Sequence, residues 1–173
     1  AEFWHQVIKI NSYQRDRFSD KIIEELDNDI NSKRIAILGW AFKKDTNDTR
    51  ESAAIYVAEQ LLSEGAQIHV YDPKVSLERM HLDLQTLWEY RGQSENEIKS
   101  KLANLRSSEK AEDACTKAHG LAVITEWDEF KTQDFTKIYN QMEKPAFVFD
   151  GRKILDHNHL QSIGFTTYEI GKG

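Results

Sequence analysis

Between Lys33 and Gly65 the chain reads KRIAILGWAFKKDTNDTRESAAIYVAEQLLSEG, and no other stretch limits its possible folds as strongly. Ile35, Ala36, Ile37 and Leu38 form a short apolar run, the pattern of a parallel strand covered on both faces. Gly39 then releases the backbone into a polar loop that carries Lys43, Lys44 and Arg50 within eight positions. A helix is expected next. Asp48 and Glu51 stand at capping-box spacing, Thr49 is a second candidate cap, and Gly65 falls past the end. Open α/β sheets bind ligands where a loop leaves the carboxyl end of a parallel strand and feeds a helix. The positive end of that helix and two adjacent lysines favour an anion, so a phosphate-bearing ligand is expected here.

The rest of the chain repeats the alternation. Strands are expected at Gln67 to Asp72, where Pro73 ends the ladder, at Leu105 to Ser107, Leu121 to Thr125, Ala146 to Phe149 and Thr166 to Ile170. Helices are expected at Glu95 to Leu102, Glu109 to Ala118, Gln133 to Met142 and His157 to Ile163. Residues 75–100 carry the weakest pattern and read as loop with short helix. This order implies βαβ units: an α/β, doubly wound, mostly parallel sheet with helices on both faces. Right-handed crossovers would bring the ends of Leu38, Asp72, Thr125 and Asp150 to one edge.

From about Glu2 to Asp29 there is no Gly or Pro, and Trp4, Val7, Ile8, Phe18, Ile22, Ile23, Leu26 and Ile30 recur at helical spacing. A helix of that length reaches roughly 40 Å. It either lies across its own domain, or breaks near Asn11-Ser12, or joins this domain to another. The expected division is 1–30 as a connecting helix for dimer and interdomain contact, and 31–173 as the sheet domain.

The 173 residues are 39% hydrophobic, enough for a core, and carry a net charge of −6. That balance speaks against nucleic acid or an anionic membrane as partner, and makes the cations near Lys43 a local exception. No apolar run approaches a membrane span. The single cysteine, Cys115, rules out an internal disulfide and suits a reducing, cytoplasmic setting. The absent initiator Met suggests a piece of something longer.

Gly39-Trp40-Ala41-Phe42 is not G-x-G-x-x-G, so a full dinucleotide cradle is not expected at this turn. A phosphate contact by Lys43 and a merely solvated loop both remain open. Asp150-Gly151-Arg152-Lys153 gives a second strand end a cation, with the planar fork of Arg152 suited to carboxylate, phosphate or a base edge. Glu126 and Asp128 beside Trp127 could bind sugar or catalyse acid–base steps, but capping of the next helix and packing of the strand end are the plainer reading. Cys115 and His119 share an i, i+4 spacing, yet a small buried hydrophobe is the plainer reading of that thiol. His157 and His159 lack partners for a metal, and none is expected.

ILGWAFKKDTNDTRES, YDPKV, TEWDEF and PAFVFDGR, in this order and spacing, resemble the C-terminal domain of the UDP-glucose/GDP-mannose dehydrogenase family. Lys44-Asp45 after the Phe-Lys pair, and Ala53 rather than proline, lean toward the animal-type UDP-glucose branch. The resemblance covers about Glu2 to Lys172. It implies a Rossmann-like UDP-sugar-binding domain preceded by a long central helix, in a cytoplasmic, dimer-based homo-oligomer. It also implies NAD, bound mainly by a separate N-terminal domain, and oxidation of UDP-glucose to UDP-glucuronate in two steps through a cysteine thioester. The catalytic cysteine motif of that family is not in this sequence, so no catalytic residue is expected and the chain alone would be inactive. By the resemblance, Phe42, Lys43 and Arg152 contact the nucleotide sugar, and Arg50 reaches toward NAD.

Overall fold

The structure is a computed structural model that describes residues 15–169. Six strands form one sheet: β1 (Arg34–Leu38), β2 (Gln67–Tyr71), β3 (Leu105–Ser107), β4 (Gly120–Val123), β5 (Phe147–Asp150) and β6 (Thr166–Glu169). Their order is β3-β2-β1-β4-β5-β6, and every neighbouring pair is parallel. The chain therefore winds one way from β1 and the other way from β4, leaving a switch point between those two strands. β1 and β4 lie at the centre, and all but the first residue of β1 is buried. Such double burial is why both read as unbroken apolar runs.

Helix α1 (15–25 within the described residues) opens the chain, and α2 (Ala53–Ser63), α3 (Leu77–Tyr90), α4 (Glu95–Leu102), α5 (Ala111–Cys115), α6 (Phe135–Gln141) and α7 (His157–Ile163) follow. The helix stops at residue 25, short of the expected Asp29, because Asp27 and Asn28 turn the backbone with positive φ. Phe18 and Ile22 on it, and Leu26 and Ile30 just beyond, are all buried in the core that packs on the sheet. Each buried side chain of this size stabilises by about 1.5–3 kcal/mol relative to exposure. Glycines let α1 approach: a Cβ on Gly151 would lie 2.9 Å from the Phe18 ring. Trp4, Val7 and Ile8, the other half of the expected long helix, lie outside the described residues.

Three further expectations change. The Asp48–Glu51 capping box does not form, because Glu51 takes a positive φ of 59° and cannot begin a helix. Ser52 caps α2 instead: its Oγ accepts from Ala54 N at 3.2 Å and donates to the Trp40 carbonyl at 2.7 Å. Residues 77–90 form a four-turn helix rather than loop. Ser76 caps it, and Met80, Leu84 and Trp88 form a buried stripe at a spacing of four. Finally, α5 ends at Cys115, so the Cys115–His119 helical pair does not exist. His119 Nδ1 accepts from Arg34 N at 3.3 Å, while burial pushes the Cys115 thiol far up.

Candidate functional site

Strand ends Leu38, Tyr71, Val123 and Asp150 all lie at the carboxyl edge of the sheet, and the loops that follow them carry the candidate residues. Gly39 begins the first loop with φ of +99°, and a Cβ there would sit 2.4 Å from Thr125 Cβ and Oγ1. Only glycine fits both that conformation and that approach. Thr125 Oγ1 donates to the Ala41 carbonyl at 2.8 Å, tying the first loop to the end of β4.

Asp72 is the centre of this edge. One carboxylate oxygen accepts from Trp40 N at 2.7 Å, Ala41 N at 2.9 Å and Trp127 Nε1 at 3.2 Å. The other accepts from Lys74 N at 2.8 Å and Val75 N at 3.2 Å. A buried carboxylate with five donors is well compensated for its lost hydration. In this way the loops after β1, β2 and β4 are pinned to one side chain. The sequence carried only a faint signal for it, an acidic residue closing a strand before proline.

Above this base, Phe42 is half exposed, at 50%, and its N–H donates to the Asp48 carbonyl at 2.8 Å. Lys43 is exposed, and its ammonium makes no hydrogen bond or ion pair with a described residue. Glu126 links the next two elements: one oxygen accepts from Lys44 N at 2.6 Å, and the other accepts from Arg152 Nη2. Arg152 thus stands beside the Phe42–Lys44 loop, although 108 residues of sequence separate Lys44 from it (152 minus 44). Partial burial pulls the Arg152 guanidinium below its ordinary value. Lys44 Nζ reaches Asp128 at 3.3 Å and holds that carboxyl below the usual range. Glu126 and Asp128 are therefore not helix caps, as the plainer reading had them, but tethers between loops. Asp150, fully buried, accepts from Arg152 N at 3.1 Å and Leu155 N at 2.9 Å and pairs with His157 Nε2 at 3.0 Å, which shapes the last loop.

Arg50 lies apart from this group. Its guanidinium grips Asp48, with Nη2 2.9 Å from one oxygen and Nε 3.1 Å from the other, and this pulls the Asp48 carboxyl down to about 2. The pair borders a cleft of about 650 Å³ between the loops after β1 and β2, with Lys74, Ser76 and Arg79 opposite. The structure accordingly ties Arg152, through Glu126, to the loop that carries Phe42 and Lys43, and sets Arg50 on a neighbouring cleft. Among the described residues no group of three His, Cys, Asp or Glu could hold a metal ion, and no helix is long and apolar enough to cross a membrane.

A parallel sheet of this order, with cation-bearing loops at its switch point, defines a Rossmann-type nucleotide-binding domain. Residues 36–157 match the UDP binding domain of the UDP-glucose/GDP-mannose dehydrogenase family, and the chain belongs to that family. It is 51% identical to UDP-glucose 6-dehydrogenase of Gallus gallus over 99% of this chain and 34% of that protein. With UDP-glucose 6-dehydrogenase 4 of Arabidopsis thaliana the identity is 46%, over 99% of this chain and 36% of the other. The chain spans about a third of the length of the curated relatives it matches. Among solved structures, NDP-N-acetyl-D-galactosaminuronic acid dehydrogenase from Methanosarcina mazei Go1 shares the fold with a TM-score of 0.67 at 19% identity, over 91% of this chain and 28% of that one. A UDP-glucose dehydrogenase from Pyrobaculum islandicum does so with 0.62 at 22%, over 92% and 32%.

Proposed function

We propose that this chain is the UDP-sugar-binding portion of an NAD-dependent UDP-glucose 6-dehydrogenase, which oxidises UDP-glucose to UDP-glucuronate in two steps. The observation that carries this reading is the Glu126 bridge, which sets Arg152 beside the Phe42–Lys43 loop at the switch point. Phe42 offers an exposed ring to ribose or base, and Lys43 and Arg152 offer donors to polar and anionic groups. Charged hydrogen bonds of this kind contribute about 1.5–3 kcal/mol each. In this proposal residues up to 30 form the connecting segment that contains α1, and residues from 31 the nucleotide-sugar domain.

Oxidation requires a hydride acceptor, the chemistry that NAD supplies when bound. The residues here fit its anionic part: Arg50, Lys74 and Arg79 surround one open cleft. In this proposal the rest of the cofactor is held by a separate N-terminal domain, as the family resemblance implies. Cys115 is no candidate for the thioester nucleophile, since it is fully buried and its thiol is held protonated. The chain by itself therefore binds and does not turn over. A cytoplasmic setting and a dimer-based homo-oligomer belong to the same proposal. An assembly-only role is less well supported, because Phe18, Ile22, Leu26 and Ile30 are used within this chain's own core.

The test is an NMR titration of the chain with UDP-glucose, following the backbone of Phe42 and Lys43 and the side chain of Arg152. Weak, saturable shifts at these three groups, lost in K43A and R152A, are expected. Nanomolar affinity, reduction of NAD by the chain alone, or tighter binding of GDP-mannose overturns the assignment. A clean monomer in light scattering at high concentration removes its assembly part.

A further inference from the structure

The opposite end of the sheet carries a second cationic hollow that the nucleotide-sugar reading does not use. It has a volume of about 280 Å³ and is lined by Arg34, Gln67, His69, Asn104 and Arg106. Arg34 and Gln67 are the first residues of β1 and β2, and they are paired in register. One step along, Ala36 pairs with His69, and His69 pairs with Arg106 of β3. Side chains two apart share a face, so Arg34, Gln67, His69 and Arg106 all stand on one face of the sheet. Helix α5, only five residues long, packs against β1 and β2, and Arg106 on β3 is exposed.

The charges there are unbalanced. Arg34 spends one donor, Nη1, on the Thr116 carbonyl at 2.8 Å. The Arg106 guanidinium is exposed and makes no hydrogen bond or ion pair with a described residue. No carboxylate lines the hollow, and both Arg34 and Arg106 act on His69. Two guanidinium groups converging on a neutral imidazole in a chain of net charge −6 leave a positive spot with no counter-charge of its own.

We propose that this hollow is a binding site for a small dianion of the phosphate type, separate from the nucleotide-sugar site. Its planar forks suit a tetrahedral oxyanion, with Gln67 and Asn104 as further polar groups on the wall. Its volume falls below the roughly 300–1,000 Å³ of pockets that enclose drug-sized ligands, so a phosphate group fits and a nucleotide sugar does not. The loops of the other site begin after Leu38, about 13 Å of strand away at roughly 3.3 Å per residue. The two sites should therefore fill independently.

His69 is a built-in reporter. Burial, then Arg34 and Arg106, push its imidazole down to about 4, and an anion between the arginines would relieve their part of that effect. The experiment follows the His69 ring by NMR in the full chain at fixed ionic strength, with sulfate as probe because it stays doubly charged through the titration. Sulfate is expected to raise the His69 midpoint by about one unit, tenfold in proton affinity, saturably, whereas chloride does not. At pH 7.5 inorganic phosphate should shift the same resonances, and R106Q should weaken this by about tenfold or more while leaving the melting temperature unchanged. Saturating UDP-glucose should change neither result. Equal shifts with chloride, no saturation, shifts that survive in R106Q, or displacement by UDP-glucose each overturn the proposal.

Discussion

Glu126 joins Arg152 to the backbone of Lys44, one carboxylate oxygen to each, and so fixes the loops after β1 and β5 against a residue that follows β4. With its side chain 41% exposed, Arg152 is held at one nitrogen while donors remain free to face a ligand. Holding a long cation in place before binding lowers the ordering cost when the ligand arrives.

If this link orders the site, Glu126→Ala weakens UDP-glucose binding almost as much as Arg152→Ala does. The double variant then loses little more, with a coupling of about 0.5–3 kcal/mol. Calorimetry on the four proteins checks it, and strictly additive losses would show that the bridge is incidental.

Asp72→Ala is expected to be the most damaging change at this edge. It strands the N–H groups of Trp40 and Ala41 and the Trp127 indole in a buried place, at about 3–5 kcal/mol in total. Urea unfolding measures the loss. A cost near zero would mean that water replaces the carboxylate without penalty.

Ile22 is fully buried between α1 and the sheet. Ile22→Ala should cost about 2–5 kcal/mol, a core truncation rather than a loosened appendage. Ile23→Ala, one residue on and only partly buried, should cost clearly less, and equal effects would place α1 outside the folding unit.

Acid should destabilise the fold through His69. In the unfolded chain its imidazole titrates near 6.5, whereas in the fold burial and the arginines facing it from β1 and β3 push it down to about 4. The unfolded state therefore binds more protons between those values. This contribution is fully present above pH 6.5 and is lost as pH falls through about 4. His69→Gln should flatten the stability profile across that window, and an unchanged slope would show that other groups govern it.

Much of this was legible beforehand because it rests on local patterns. The runs IAIL and LAVI, and Val148-Phe149 of β5, are buried on both faces, and that requirement alone writes them as apolar. Helix α3 is hard to read locally because its stripe of Met80, Leu84 and Trp88 is narrow and set among charges. Capping-box spacing does not find the start of α2, because it ignores the positive φ of Glu51 and the hydrogen bond that ties Ser52 to the distant Trp40 carbonyl.

The site divides along the same line. By itself the sequence determined that cations follow β1 and β5, that Gly39 opens a tight turn, and that strands and helices alternate toward a parallel sheet. It could not decide which of those cations stand together. That was settled by the strand order, which places β4 between β1 and β5, so that a carboxylate just past β4 can hold Lys44 on one side and Arg152 on the other. Ion pairs across loops depend on where distant strands end in space. Burial of the sheet fixes those positions, and no local spacing along the chain records them.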